Sequence, residues 1–188
     1  AHHPARAEAG HRPRQALADV LTLKEQFGRL KGLKLTYVGD GNNVAHSLLL
    51  CCARLGINMT VATPAGYEPK PAVVEQSRAL AADSGAQIEL TTDPLEAVVA
   101  ANAVYTDVWA SMGQESEAAQ RLKVFAPYQV NSELMSAART DAIFMHCLPA
   151  HREQEVTDTV IESSQSVVFD QAENRLHAQK ALLLLLLQ

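Results

Sequence analysis

Short β-rich runs alternate with helix-period stretches along most of the chain, and this alternation is the feature that most constrains its fold. In chain order the runs are KLTYV, NMTVA, QIELT, AVYTD, AIFMH and SVVF. Each run is followed by a polar loop and then by apolar residues at helical spacing, which is typical of βα units around a parallel sheet. Five or six such units occupy residues 33 to 187. We therefore predict an α/β fold with a doubly wound, mainly parallel sheet and helices on both faces.

The length and the continuous pattern indicate one Rossmann-like domain. At about 150 residues per domain, 188 residues allow one domain with an arm. Residues 1 to 12 have no hydrophobic periodicity and are predicted to form a mobile arm, and residues 13 to 188 are predicted to form the α/β domain. Apolar residues from Leu17 to Leu30 recur at helical spacing, so we expect a first helix that ends at Gly32.

Several helix ends can be predicted from single residues. Asp93 precedes Pro94, which is the usual order of an N-cap residue and a first-turn proline. Asn131 and Thr157 are placed to cap the helices that follow them. The Leu-rich residues 181 to 187 predict a last helix that is buried against the sheet.

Charge and cysteine content exclude several classes of protein. A net charge of -5 and a pI near 5.8 do not fit the dense basic surface of a nucleic-acid-binding protein, so no nucleic acid partner is expected. The three cysteines lack metal-ligand spacing, and Cys51 and Cys52 fall mid-helix among leucines, as core residues do. We expect no metal, no cofactor, no disulfide framework and a reducing, cytoplasmic location. Residues 181 to 187, the longest apolar run, fall far short of the roughly 20 residues of a membrane span.

Functional residues should be sought in the loops after the strands, because ligands of open parallel sheets bind outside the carboxyl ends of the strands. These loops read GDGNN (39 to 43), TPAGYEP (63 to 69), TDVWASMG (106 to 113), HCLPAHR (146 to 152) and DQAENR (170 to 175). Polar, small and turn-forming residues therefore concentrate at one edge of the predicted sheet.

The GDGNN loop follows a strand and opens a helix, so its N–H groups could bind a phosphate or a carboxylate. It lacks the GxGxxG spacing of dinucleotide sites, since residue 44 is Val44 and no third glycine follows. A tight turn with an asparagine cap explains the same residues. Both interpretations stay open from the sequence.

Two other loops have more than one explanation. Asp107 and Ser111 could bind an ammonium group on a lid hinged at Gly113, or could belong to an ordinary capping loop. Cys147 could be a nucleophile, a hydrogen-bond partner or a buried sulfur. The sequence alone does not decide between these roles.

Arg175 follows Asp170 and Glu173 within one helical segment, so it could form a solvated ion pair with them. Alternatively, its guanidinium could bind a phosphate or a carbonyl oxygen. His46 and His177 lie at helical positions without paired ligand spacing and are predicted to be surface or satisfied histidines.

Taken together and in order, five segments closely resemble the ornithine carbamoyltransferases. They are GDGNNVAHS, ATPAGYEP, TDVWASMG, HCLPAHR and AENRLHAQKAL, and the resemblance extends over residues 15 to 187. It implies the second, ornithine-binding domain of that family. The implied reaction is attack of a neutral side-chain amine of ornithine on carbamoyl phosphate, which gives citrulline and phosphate without a metal.

The resemblance also implies a substrate clamp. Asn43, Asp107, Ser111 and the backbone of Met112 would hold the α-amino and α-carboxylate groups of ornithine. Asp107 would have a catalytic role as well, because a site that desolvates the side-chain amine beside Cys147 and Asp107 can favour its reactive form.

The remaining implied site residues surround the reacting groups. Cys147 and the carbonyl of Leu148 would lie beside the side-chain amine and the carbamoyl group, with a cis peptide bond between Leu148 and Pro149. Arg175 would contact the carbamoyl oxygen, and Gln15 would be a further substrate-binding residue. The implied catalytic residues are thus Cys147, Arg175 and Asp107.

The chain departs from the family pattern in two places. The S-T-R-T-R phosphate-binding loop of the family's first domain does not occur in these 188 residues. The H-P-x-Q motif of the family reads Arg12, Pro13, Arg14, Gln15, so an arginine replaces its histidine. We therefore expect no full activity from this chain alone. A homo-oligomer is possible, and a companion chain could supply the first domain.

Two other functions fit the sequence. The first is a non-catalytic domain that binds ornithine or takes part in assembly, which the missing arginine loop favours. The second is a nucleotide-binding Rossmann-like module, which would require GDGNN to accept a dinucleotide without the usual glycines. Binding of ornithine or of NAD distinguishes them.

Overall fold

The computed structural model describes residues 12–110 and 118–187. Within them, five parallel strands form one sheet in the order β3-β2-β1-β4-β5. The strands are β1 (Lys34–Val38), β2 (Asn58–Ala62), β3 (Ile88–Thr91), β4 (Ala103–Thr106) and β5 (Ile143–His146). The chain builds outward from β1 in one direction and then crosses to β4 on its other side, so the sheet is doubly wound. The predicted α/β class is confirmed.

Helices connect the strands and cover both faces of the sheet. They are α1 (Pro13–Phe27), α2 (Asn43–Leu55), α3 (Pro71–Ser84), α4 (Pro94–Val98), α5 (Ala118–Phe125), α6 (Ser132–Ala137), α7 (Asp158–Ile161) and α8 (Val168–Leu186), with a 3-10 helix at Ala126–Tyr128. Among the described residues, no helix has both the length and the apolar character needed to cross a membrane.

Alternate residues of each strand enter two separate hydrophobic cores, as expected for a sheet covered on both faces. Tyr37 and Tyr105 pack with α1, α2 and α3 on one face. Val104 and Phe144 pack with α4, α6 and α7 on the other. Because β1 and β4 are paired in register with Tyr37 opposite Tyr105, the loops that follow these strands leave the sheet side by side.

Two predicted N-caps are confirmed and a third is only half right. The carboxylate of Asp93 accepts hydrogen bonds from the first N–H groups of α4, and the side chain of Asn131 accepts one from α6. Thr157 occupies the N-cap position of α7, but its side chain makes no capping hydrogen bond. The mid-helix cysteines lie in the core as predicted, Cys52 fully buried and Cys51 packed against it in part.

Three sequence predictions about the helices and strands are wrong. Helix α1 ends at Phe27 rather than near Gly32, because Gly28 adopts a left-handed φ of 67° and its N–H bonds the Lys24 carbonyl. The run SVVF is not a strand, since only Ser166 forms an isolated bridge with Phe144 before α8 begins.

The third error concerns the Leu-rich end of α8, which is exposed rather than buried. Leu185 and Leu187 are 71% and 83% exposed. The residues of α8 that are buried are Val168, Gln171 and Asn174, all in its first half. Of the predicted arm, residues 1–11 lie outside the described residues, and Arg12 is the N-cap residue of α1.

Candidate functional site

The GDGNN loop is shaped by close contact with the loop that follows β2. The N–H of Gly41 donates to the carbonyl of Tyr67 over 2.9 Å. A Cβ atom on Gly41 would lie 2.3 Å from the nitrogen of Pro69 and 2.6 Å from the Tyr67 oxygen, so no other residue fits there without displacement of the backbone. Asn42 then caps α2, with Oδ1 accepting from the N–H groups of Val44 and Ala45. The geometry favours a tight turn with an asparagine cap over an anion site.

Asp107 lies at the end of β4 and joins two other strand-end loops. Its Oδ1 accepts a hydrogen bond from the thiol of Cys147 over 3.0 Å, and its Oδ2 accepts one from the amide of Asn42 over 2.8 Å. Asp107 and Cys147 are each 7% exposed. The carboxylate is therefore held in one orientation at the edge of the sheet where ligands of this fold class bind.

Cys147 is a neutral thiol in this environment. Burial raises the pKa of Cys147 far above its ordinary value, and the negative charge of Asp107 and the hydrogen bond to it act in the same direction. A thiol with so high a pKa is a poor nucleophile at neutral pH, because the thiolate is the reactive form. Of the three roles open from the sequence, the geometry favours the hydrogen-bond partner.

The loop after β5 is fixed by hydrogen bonds from its own backbone. The N–H of Leu148 donates to Nδ1 of His146 over 2.9 Å, and Leu148 has a φ of 50°, which is unusual for a residue with a side chain. The Leu148–Pro149 peptide bond is cis, as the resemblance implies. Because Nδ1 is an acceptor, the ring proton lies on Nε2, which faces Oε1 of the buried Glu155 at 3.3 Å.

A basic cavity lies where the start of α1 meets α8. Its volume is about 300 Å³, and its lining residues include Arg12, Arg14, Gln15 and Arg175. Gln15 and Arg175, which are 160 positions apart in the chain, are thus brought together, as expected if both bind one ligand. Arg175 is solvent-exposed on α8. Guanidinium groups around a cavity of this size suit an anionic ligand.

A buried polar network lies between the basic cavity and Cys147. Asp19, on the inner face of α1, accepts hydrogen bonds from Gln15 and Gln171 at Oδ1 and from the hydroxyl of Tyr105 at Oδ2. Burial raises the pKa of Asp19 to about 7, although these hydrogen bonds oppose the rise. Sequence analysis missed Asp19. The sequence signal that could have identified it is an acidic residue on the apolar face of a helix, four positions after Gln15.

The other predicted residues have different positions. Asn43 is the first residue of α2 and is half-buried, and its neighbour Asn42, which sequence analysis did not assign, makes the contact with Asp107. The preference of asparagine for N-cap positions could have identified Asn42. Ser111 and Met112 lie outside the described residues. In the described ranges, 12–110 and 118–187, no three His, Cys, Asp or Glu side chains are arranged to hold a metal ion.

The two histidines outside the site behave as satisfied and surface residues. His46 is 5% exposed, and its Nε2 accepts a hydrogen bond from the backbone of Lys70. The side chain of His177 is 54% exposed and lies 3.6 Å from Glu173. Both observations agree with the sequence interpretation.

Known proteins resemble this chain over nearly its whole length. It is 61% identical over 175 residues to an ornithine carbamoyltransferase of Thermococcus kodakarensis, and the match covers 93% of this chain and 56% of that protein. It is 56% identical to an ornithine carbamoyltransferase of Bacillus subtilis, and that match covers 92% of this chain and 54% of that protein. The solved structure of the Pyrococcus furiosus ornithine carbamoyltransferase superimposes with a TM-score of 0.90 at 58% identity, covering 93% of this chain and 56% of that one.

The chain spans about half the length of the curated relatives it matches. Residues 31–186 match the family model described as "Aspartate/ornithine carbamoyltransferase, Asp/Orn binding domain". The match includes the strand-end loops that bring Asn42, Asp107 and Cys147 together. The chain therefore belongs to the aspartate/ornithine carbamoyltransferase family, of which it contains the Asp/Orn-binding domain.

Proposed function

We propose that this domain binds ornithine at the edge of the sheet formed by the loops after β1, β4 and β5. The observation that supports this most directly is the buried carboxylate of Asp107, which is oriented by Asn42 and Cys147 at 2.8 and 3.0 Å. A carboxylate fixed in this way suits the α-ammonium group of an amino acid. The relatives with 56 to 61% identity, all named ornithine carbamoyltransferases, support ornithine as that amino acid.

In the proposed complex, Asn43, Ser111 and the backbone of Met112 complete the clamp on the α-amino and α-carboxylate groups. Cys147 and the carbonyl of Leu148 lie beside the side-chain amine. That amine is mostly protonated at neutral pH, since its pKa in water is near that of lysine, about 10. It must lose its proton before it can attack, and a desolvated position beside a neutral thiol favours the uncharged amine.

The proposed reaction is carbamoyl transfer in the complete enzyme. The neutral amine attacks the carbonyl carbon of carbamoyl phosphate, a C–N bond forms, the C–O bond to phosphate breaks, and the nitrogen loses a proton to give citrulline. Arg175 contacts the carbamoyl oxygen, and Gln15, which lines the same basic cavity, contacts the same substrate. No cofactor is part of this scheme.

Carbamoyl phosphate binding also requires groups that these 188 residues do not supply. We infer that a first domain with an arginine-containing phosphate loop completes the site. The three free cysteines fit a reducing, cytoplasmic location.

Calorimetric titration with ornithine tests the proposal. We expect weak binding that Asp107→Ala abolishes and that Cys51→Ala leaves intact, because Cys51 lies mid-helix on α2 and not at a strand end. Equal losses of affinity in the two variants would rule out the proposed site. Binding of NAD in place of ornithine would favour a nucleotide-binding module instead, although the Asn42 side chain already accepts hydrogen bonds from the N–H groups of Val44 and Ala45 in α2.

A further inference from the structure

Asp19 joins three secondary-structure elements through one buried carboxylate. Its exposed fraction is 0%. The side-chain amide of Gln15, on α1, donates to Oδ1 over 2.8 Å, and that of Gln171, on α8, donates to the same oxygen over 2.7 Å. The hydroxyl of Tyr105, on β4, donates to Oδ2 over 3.3 Å. All three donors are neutral side chains.

The two side-chain amides that donate to Asp19 belong to residues in contact with different parts of the proposed site. Gln15 lines the basic cavity together with Arg175. Gln171 uses the other end of its amide, since its Oε1 accepts the backbone N–H of His146 over 2.9 Å. A buried amide with both its donor and its acceptor occupied has a fixed orientation. Asp19 is therefore connected through Gln171 to His146, the residue that directly precedes Cys147.

We propose that Asp19 is a positioning residue whose carboxylate fixes Gln15 at the basic cavity and, through Gln171, the backbone of His146 at the start of the loop that contains Cys147. The inference rests on the proposed function, since it connects the residues assigned to carbamoyl phosphate with those assigned to ornithine. Asp19 itself is too deeply buried to touch either substrate.

Packing alone does not explain a carboxyl group at this position. An apolar side chain on the inner face of α1 would avoid the free energy of removing a carboxylate from water. A second buried polar contact between the same helices offers a comparison. Thr22, also 0% exposed, accepts a hydrogen bond from the amide of Asn174 over 3.1 Å. That contact ties α1 to α8 without involving the loop after β5.

The test compares amide hydrogen exchange in Asp19→Ala, Asp19→Asn and the matched control Thr22→Val. Asparagine keeps an oxygen that can accept from Gln15 and Gln171 and adds a donor toward the oxygen of Tyr105. We expect Asp19→Ala to speed exchange at the His146 amide about tenfold, the scale on which one hydrogen bond, here that from His146 to Gln171, contributes to stability. Asp19→Asn should restore slow exchange, and Thr22→Val should not change it once rates are compared at equal global stability.

Should Asp19→Ala fail to fold, Gln171→Leu interrupts the connection at its midpoint and must speed exchange at His146 in the same way. If the His146 amide exchanges no faster in Asp19→Ala and Gln171→Leu than in Thr22→Val, the inference is overturned. An ornithine titration of the same variants keeps the two proposals separate. Failure of the unaltered chain to bind ornithine counts against the proposed function, whereas the exchange rate of His146 still decides the role of Asp19.

Discussion

The thiol of Cys147 donates a hydrogen bond to Oδ1 of Asp107 over 3.0 Å, although the two residues are 40 positions apart in the chain. The contact exists because β4 and β5 are parallel neighbours, paired from Ala103 with Ile143 to Thr106 with His146. The residue after each strand therefore emerges at the same edge. This contact links the clamp proposed for the α-amino group to the loop proposed for the side-chain amine.

Asp107→Asn should make Cys147 more reactive toward iodoacetamide. The charge of Asp107 and its hydrogen bond both raise the pKa of Cys147, so their removal lowers it and increases the thiolate fraction. We expect alkylation at mildly alkaline pH to be at least about tenfold faster, since one pKa unit changes the thiolate fraction tenfold. Peptide mass spectrometry measures the rate. Cys51 is an internal control whose rate should not change, and an unchanged Cys147 rate would contradict the assignment.

The chain alone should form no measurable citrulline from ornithine and carbamoyl phosphate. Stabilising the leaving phosphate requires positioned cations, which here come from Arg12, Arg14 and Arg175 at the basic cavity. Loss of one positioned donor typically lowers a rate by about a hundredfold, and the S-T-R-T-R loop contains two arginines. A steady-state colorimetric assay measures the product. Sustained turnover that Cys147→Ala abolishes would show that this chain forms a phosphate site of its own.

Asp19 should make the folded state less stable as the pH rises toward neutrality. Burial raises the pKa of Asp19 from 3.8 to about 7, so the folded state binds the proton more tightly than the unfolded state. This contribution to stability is complete below about pH 4 and is lost as the pH rises through 7, by up to about 4 kcal/mol. The titratable groups that interact electrostatically with Asp19 are Tyr105, Cys51, Cys52, Cys147 and Asp107.

Urea unfolding of the unaltered chain and of Asp19→Asn, from mildly acidic to mildly alkaline pH, isolates the effect of Asp19. As the pH increases, the free energy of unfolding of Asp19→Asn should rise steadily relative to that of the unaltered chain. Other carboxylates contribute equally to both curves and cancel in the difference. Parallel curves would mean that Asp19 titrates at the same pH in the folded and unfolded states.

Arg121→Ala should destabilise the domain strongly. The guanidinium, whose side chain is 7% exposed, lies 3.0 Å from the carboxylate of Asp40, donates to the carbonyl of Trp109 and lies 5.0 Å from the centre of the Tyr67 ring. Removing one partner of a buried ion pair typically lowers the free energy of unfolding by about 3 kcal/mol or more. Chemical denaturation measures the loss.

Arg139→Ala is the matched control for that variant. Arg139 also pairs with an aspartate, Asp141, at 2.7 Å, but both side chains are about half exposed. Solvent screens such a pair, so its removal should have a much smaller effect. Comparable losses in the two variants would show that burial of the Arg121 pair is not what stabilises it.

Local patterns in the sequence were sufficient for the fold class and for choosing the loops of the proposed site. The alternation of β-rich runs with helical periodicity identified each of the five strands, and the rule that ligands bind beyond parallel strand ends selected the loops containing Asp107 and Cys147. Asp93 and Asn131 were recognisable as caps because a cap involves residues only two or three positions apart. These features depend on interactions within a few residues, which a single sequence displays directly.

The tertiary structure alone decided which side chains meet. Asp19 and Gln171 are 152 positions apart, and nothing local distinguishes that glutamine from an exposed one. The exposed leucines at the end of α8 and the bridge at Ser166 in place of a sixth strand have the same origin, since burial and strand pairing depend on neighbours distant in the chain. Periodicity determined where helices and strands form, and the packing of α1 and α8 against the sheet determined how Asp19 connects the two halves of the proposed site.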